Sequence, residues 1–177
     1  MIFLKEIPSF TKKRSMIPIR IALLALLLAG SVFVARAGEI LDDSLSPKKQ
    51  YSVQFEWAHK GDLSALSKDE FYRLKAHIPD VEVRLNTTDY MGKQAKIYLA
   101  LPQTIDGLSS TEGFSLNWET DRIFSSGRTT PGNRALIFDG KIDSPIMIDL
   151  FTFTLKINAS YLTEKLRYAP IFEIETY

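Results

Sequence analysis

A chain of 177 residues without cysteine cannot form disulfides, thiolate metal sites or the lipidated cysteine of a lipoprotein anchor. Its formal net charge of +1 comes without a long basic stripe, which argues against nucleic acid as a partner. With 45% hydrophobic residues the chain can form a core unaided by metal or disulfide, and we expect no cofactor.

The first predicted element is a secretory signal peptide over residues 1–37. Basic residues precede an apolar run from Ile21 to Val34, and Ala35-Arg36-Ala37 follows as an A-x-A cleavage motif. A membrane anchor is the competing interpretation, but the run is shorter than the roughly 20 residues that cross a bilayer. Met16 is an alternative start, because residues 16–37 alone have every part of a signal peptide. The sequence therefore predicts a periplasmic or secreted protein without a lipid anchor.

Cleavage after Ala37 would leave residues 38–177, which the sequence divides into a leader and one domain. Residues 1–37 hold six basic side chains and one acidic side chain, so their removal changes the net charge from +1 to about −4. Residues 38–50 are polar, contain Pro47 and show no period, which predicts a flexible leader. Residues 51–177 have the size of a single domain.

The first half of that domain alternates in hydrophobicity. Apolar and polar residues alternate from Tyr51 to Trp57, the period of a strand with one buried face. Ser67 and Glu70 fit a capping box, which predicts a short helix over residues 67–77 that ends before Pro79. The strand period then returns, with Gly92 in the turn between the two further strands, which are predicted at residues 81–86 and 97–101.

The second half continues this pattern, with strands predicted at residues 114–118, 136–138, 146–157 and 166–174. Apolar residues change from even to odd positions near Leu150, which predicts a bulge or a bend from one sheet to another. Pro170 lies inside the last strand. Because proline has no backbone N–H, that strand should lie at a sheet edge or break there.

Short strands joined by turn-rich loops predict an all-β fold, an antiparallel β-sandwich, with an immunoglobulin-like arrangement favoured. The alternation places the core at one set of strand positions. The predicted core residues are Phe55, Trp57, Leu99, Trp118, Phe138, Phe153 and Leu155.

The polar residues that could carry chemistry form no catalytic pattern. His59 and His77 lie far apart, no serine elbow is present, and two histidines without local spacing are weak support for zinc. The segment from Asp139 to Asp143 could supply calcium ligands, but Lys141 disfavours a cation there. We therefore predict no catalytic residue, no metal site and no enzymatic activity.

Binding residues are expected in the loop from Phe124 to Arg134, since loops at sandwich ends commonly bind ligands. It is rich in serine, threonine and glycine, with arginines in and beside it. An anionic or polar ligand would be held there by the candidate ligand-binding residues Arg122, Ser125, Arg128 and Arg134.

The leading hypothesis is a non-enzymatic exported protein that serves as an interaction or structural module of the cell envelope. Its partner would be another envelope protein or a second copy, bound through an edge strand, for which the C-terminal strand is the candidate. The alternative is a small-ligand or carbohydrate-binding module. If Trp57 and Trp118 are both buried, the first hypothesis is favoured, whereas an exposed tryptophan beside a groove favours sugar binding.

Overall fold

The computed structural model describes residues 38–47, 54–59 and 66–177, with only the backbone of Lys68 and Asp69. The predicted signal peptide and the start of the strand predicted from Tyr51 lie outside these residues. A one-turn helix α1 (Lys68–Phe71) and short 3-10 turns at Thr88–Tyr90 and Ala159–Tyr161 accompany the strands. The strands are β1 (Glu39–Ile40), β2 (Glu56–Trp57), β3 (Arg73–Asn86), β4 (Gln94–Ala100), β5 (Asp106–Leu108), β6 (Ser115–Thr120), β7 (Gly127–Thr129), β8 (Arg134–Lys141), β9 (Ile146–Asn158), β10 (Leu162–Arg167) and β11 (Ile171–Thr176).

Two larger antiparallel sheets pack together and confirm the predicted β-sandwich. The five-stranded sheet has the order β2-β3-β9-β6-β7, and the four-stranded sheet has the order β1-β11-β4-β8. β10 and β5 form a separate antiparallel pair. The immunoglobulin-like arrangement of these strands stays a prediction.

The core follows the predicted alternation in most strands. Leu99, Trp118, Phe153 and Leu155 are buried, as predicted. Two others, Phe55 and Phe138, are half-buried against the core. The prediction for Trp57 is wrong, because this side chain is 50% exposed. Trp57 lies on β2, a two-residue strand at the end of its sheet. Alternation in the sequence shows which residues share one face of a strand, but it does not show that another element covers that face.

The predicted helix is present but is shorter than predicted. The Ser67 amide donates to Glu70 and the Glu70 amide donates to the Ser67 hydroxyl, as in a capping box. The helix ends at Phe71, and residues 73–77 begin β3, which pairs with β9 from Arg73 onward. Pairing with a distant strand therefore overrides the local helical signal. Pro79 lies in β3, next to Asp80 at a φ of 54° and within a register shift.

The predicted phase change in β9 is wrong. Buried side chains keep to odd positions along the whole strand, from Met147 to Ile157. Ile146 and Ile148 lie on the exposed outer face instead. The inward position after Ile148 is Asp149, whose polarity conceals the true phase in the sequence.

Pro170 lies in a break between two strands, which is one of the two predicted alternatives. β10 ends at Arg167, β11 begins at Ile171, and the two strands belong to different sheets. β11 is not the outermost strand, because β4 pairs with one of its sides and β1 pairs with the other. β1 itself lies within the predicted leader, and the neighbouring Leu41 is buried.

Candidate functional site

The two larger sheets are linked along one side of the sandwich by backbone hydrogen bonds. The Ser125 amide, before β7, donates to the Ile137 carbonyl of β8 at 2.7 Å. The turn between β7 and β8 is held to the end of β4, where the Leu101 amide donates to Asn133 and the Gly132 amide donates to Leu101. These bonds close this side of the core.

A groove of about 1090 Å³ lies along the opposite side, between β3 and the β10–β11 segment. Polar residues, including Ser44, Glu82 and Glu164, also line it. Its apolar lining comes from both sheets and includes Ile78, Val83, Phe153, Leu155, Tyr168 and Phe172. A groove between two sheets with this apolar lining can accept the alternate side chains of an extended peptide.

Phe172 is the residue of β11 that lines this groove, and a short N-terminal segment covers the outer edge of β11. Glu39 and Ile40 pair with Ile174 and Glu173, and the Leu41 amide donates to the Phe172 carbonyl at 2.8 Å. β11 spans six residues, so β1 pairs with only part of this edge.

The same N-terminal segment crosses to the other sheet at one end of the groove. The Asn86 amide donates to the Asp42 carbonyl at 2.9 Å. The Arg84 amide donates to the Ser46 hydroxyl at 2.8 Å, and that hydroxyl donates to the Arg84 carbonyl at 3.2 Å. Residues 41–46 therefore connect the edges of β11 and β3.

A charged cluster lies beside β1 on the four-stranded sheet. The Arg134 guanidinium donates to Glu173 at 3.1 Å and to Glu175 at 2.8 Å, and it lies 4.2 Å from the centre of the Tyr98 ring. The hydrogen bond from Arg134 lowers the pKa of the Glu175 carboxyl below its ordinary value. Burial, followed by the charge of Glu175, raises the pKa of the Tyr98 hydroxyl.

The structure separates the four residues predicted to bind a ligand. Arg134 lies on β8 of the four-stranded sheet and bonds the two carboxylates of the charged cluster. Arg122, Ser125 and Arg128 are exposed on or beside β7, at the end of the five-stranded sheet. Arg134 therefore takes part in an internal cluster. Ligand binding by these four residues stays a prediction.

The loop that carries Arg122 and Ser125 is anchored by a fully buried carboxylate, which sequence reasoning missed. Asp149 accepts the Ile123 amide at 2.7 Å and the Phe124 amide at 2.9 Å through one oxygen. Its other oxygen accepts the Leu150 amide at 2.8 Å. The only signal was a charged residue between apolar neighbours in a strand.

A row of aromatic rings lies at the other end of the five-stranded sheet. His59 lies 5.9 Å from Trp57 and is stacked on Phe71 at 5.9 Å, and Phe71 meets Tyr72 edge-on at 5.2 Å. Trp57 and Phe71 are 50% and 40% exposed. The His59 Nδ1 atom is buried and has no hydrogen-bond partner among the residues that the structure describes. Sequence reasoning found Trp57 as a binding candidate, but it missed Phe71 and Tyr72 because the predicted helix enclosed them.

Within the described ranges, no group of three or more His, Asp and Glu residues could hold a metal ion. No helix among the residues described is long and apolar enough to cross a membrane. No protein-family model matches this chain, and neither the curated proteins nor the solved structures contain a match.

Proposed function

We propose that this chain is an exported, non-enzymatic interaction module of the cell envelope that accepts a strand from its partner at the outer edge of β11. The partner is another envelope protein or a second copy of this chain. The observation that carries the proposal is the apolar groove beside β11, whose strand edge is paired by β1 over two residues. Export rests on the predicted signal peptide and cleavage motif.

Strand addition explains how such an edge and groove would work together. An added strand gains affinity from backbone hydrogen bonds, and every second side chain enters a pocket that provides specificity. On this chain the backbone bonds would form along Ile171–Thr176. Alternate side chains of the incoming strand would contact Phe172 and the other apolar residues of the groove.

β1 is weakly held in comparison with a full strand, which makes exchange with a partner strand feasible. Ile40 is 69% exposed, whereas Leu41 is 4% exposed and is the one large apolar side chain that residues 39–41 bury. Full burial of one leucine contributes about 1.5 to 3 kcal/mol. A longer incoming strand with several apolar side chains would offset that loss.

A disulfide that locks β1 onto β11 tests this proposal, and the cysteine-free chain makes the experiment clean. Ile40 lies opposite Glu173 in the register, so I40C/E173C places two thiols across the strand pair. We expect oxidation of this variant to weaken self-association or partner binding by about tenfold or more, and reduction to restore it. Sedimentation velocity of the reduced and oxidised forms measures self-association. Pull-down of co-exported envelope proteins with each form measures partner binding.

The matched control is K96C/D139C, a cross-strand pair on the β4–β8 side of the same sheet. Oxidation of this control should leave association unchanged, because it does not immobilise β1. If the β1–β11 lock leaves association unchanged as well, or if the reduced protein binds neither itself nor an envelope protein, strand addition at β11 is wrong.

Carbohydrate binding is the second candidate function, and the exposure of Trp57 favours it. Exposed tryptophan and phenylalanine rings can stack on the apolar faces of sugar rings. Trp118, by contrast, is 2% exposed and belongs to the core.

Replacing Trp57 with alanine tests this second function. If the aromatic row binds sugars, Trp57→Ala should lower affinity for a glycan ligand by about tenfold and leave unfolding in urea nearly unchanged. Affinity electrophoresis in gels that contain envelope polysaccharides measures the first effect. Tyr177→Ala is the control, because Tyr177 is an exposed aromatic residue on the other sheet. Equal mobility of wild type and Trp57→Ala in every polysaccharide would exclude this site.

A further inference from the structure

Gly38, the residue that follows the predicted cleavage motif, packs against the charged cluster. A Cβ atom at this position would lie 3.0 Å from the Glu173 Cβ, 3.2 Å from a Glu173 carboxylate oxygen and 3.3 Å from an Arg134 guanidinium nitrogen. Glycine fits at these distances, whereas a larger residue would require the neighbouring side chains to shift by a few tenths of an ångström. The backbone nitrogen of Gly38 is covalently close to that Cβ position, so it lies within roughly 6 Å of the carboxylate oxygen.

The cluster has two negative charges and one positive charge. Glu173 and Glu175 both bond the single guanidinium of Arg134. All three side chains are partly shielded from water. A positive charge at the Gly38 nitrogen would balance the cluster, since an opposite charge within about 4 to 6 Å stabilises the ionised form of each group.

We propose that the α-ammonium group of Gly38, created by cleavage after Ala37, binds the Glu173 carboxylate and fixes the start of β1 on β11. This inference rests on the export and cleavage in the proposed function. In the uncleaved chain the same nitrogen belongs to an uncharged peptide bond. Processing therefore adds the missing charge and one further contact between β1 and β11, which an incoming partner strand would have to displace.

Other charged and titratable groups on the neighbouring elements surround the site. Lys96 pairs with Asp139 at 3.8 Å on the β4–β8 side, so these two charges balance each other. The groups that face the cluster from β4 and β8 are Lys96, Tyr98 and Asp139. Glu39 lies opposite the buried Ile174 of β11, on the other face of the sheet, where it interacts with Tyr90. Glu173 is the carboxylate that approaches Gly38.

The test begins with the full chain, expressed in a bacterium and recovered after export. Intact mass identifies the first residue, and reductive methylation with ¹³C-formaldehyde allows the α-amino group to be titrated by NMR. We expect a product that begins at Gly38, with a higher α-amino pKa in the wild type than in E173Q. Because that pKa is raised by folding, the extra stability is present at lower pH and is lost as pH rises through it.

Two further variants separate the possible outcomes. E119Q removes an exposed carboxylate on β6 of the other sheet, so its α-amino pKa should match the wild type. Insertion of one alanine after Ala37 moves the amino group by about 3.8 Å and leaves the cluster intact, so its pKa should match E173Q. A product that begins elsewhere overturns cleavage and the inference together. A Gly38 product with the same pKa in wild type, E173Q and the insertion overturns the inference and leaves export standing.

Discussion

Replacing Asp149 with alanine is expected to lower the free energy of unfolding by about 3 to 5 kcal/mol. The carboxylate is fully buried and accepts hydrogen bonds from the amides of Ile123, Phe124 and Leu150. Hydrogen bonds to a charged group contribute about 1.5 to 3 kcal/mol each, and the alanine variant leaves the Phe124 amide buried without a partner. The loop between β6 and β7 therefore loses its attachment to β9.

Urea unfolding followed by tryptophan fluorescence measures this loss. Trp118 is a suitable probe, because its indole N–H donates to the Ser125 carbonyl of the same loop at 2.9 Å. Asp121→Ala is the matched control, since Asp121 is an exposed carboxylate in that loop. Its unfolding midpoint should stay close to wild type. Equal midpoints for Asp149→Ala and Asp121→Ala would show that the buried carboxylate does not anchor the loop.

Elements with one buried face and a regular backbone were predictable from the sequence. In β4 the buried residues Ala95, Ile97 and Leu99 alternate with polar or partly exposed ones, so the period of two gives both strand and face. β6 is similar, with Leu116 and Trp118 buried. Several such strands separated by turns lead to a sandwich because their apolar faces must cover one another.

Two local patterns misled the prediction because distant parts of the chain decide them. The capping box at Ser67 starts a helix, but pairing between Arg73 and Asn158 on β9 ends it after one turn. In β8 the buried residue is Ile137, while Leu136 is exposed, because a register shift against β4 changes the phase. A bulge of this kind depends on both strands, and one strand's sequence does not contain it.

The candidate site was still harder to predict, since it arises from contacts between the two ends of the domain. Glu39 and Ile40 form too short a strand to show a period, and their partner is β11, more than 130 residues away. Pro170 predicted either an edge strand or a break, but not the strand that covers the edge of β11. The groove likewise depends on how β3 and β11 are spaced, which hydrophobic alternation does not specify.

Replacing Trp118 with alanine is the other change with a large expected effect, about 3 to 5 kcal/mol of lost stability. The indole is 2% exposed and lies opposite Gly127 in the β6–β7 register. A Cβ atom on Gly127 would lie 2.8 Å from the Trp118 ring, so the absence of a side chain there makes room for the indole. Trp118 and Gly127 should therefore be energetically coupled.

A double-mutant cycle in urea measures that coupling. Gly127→Ala should cost about 1 to 3 kcal/mol in the wild type, because the added methyl group forces the indole to move. In the Trp118→Ala background the same substitution should cost close to nothing, since the obstructing ring is gone.

Gly140→Ala is the control in another strand, where the added Cβ would meet Phe138 at an ordinary 3.4 Å. Equal costs of Gly127→Ala in both backgrounds would show that the ring does not occupy the space above Gly127. The packing inferred for this edge of the core would then be wrong.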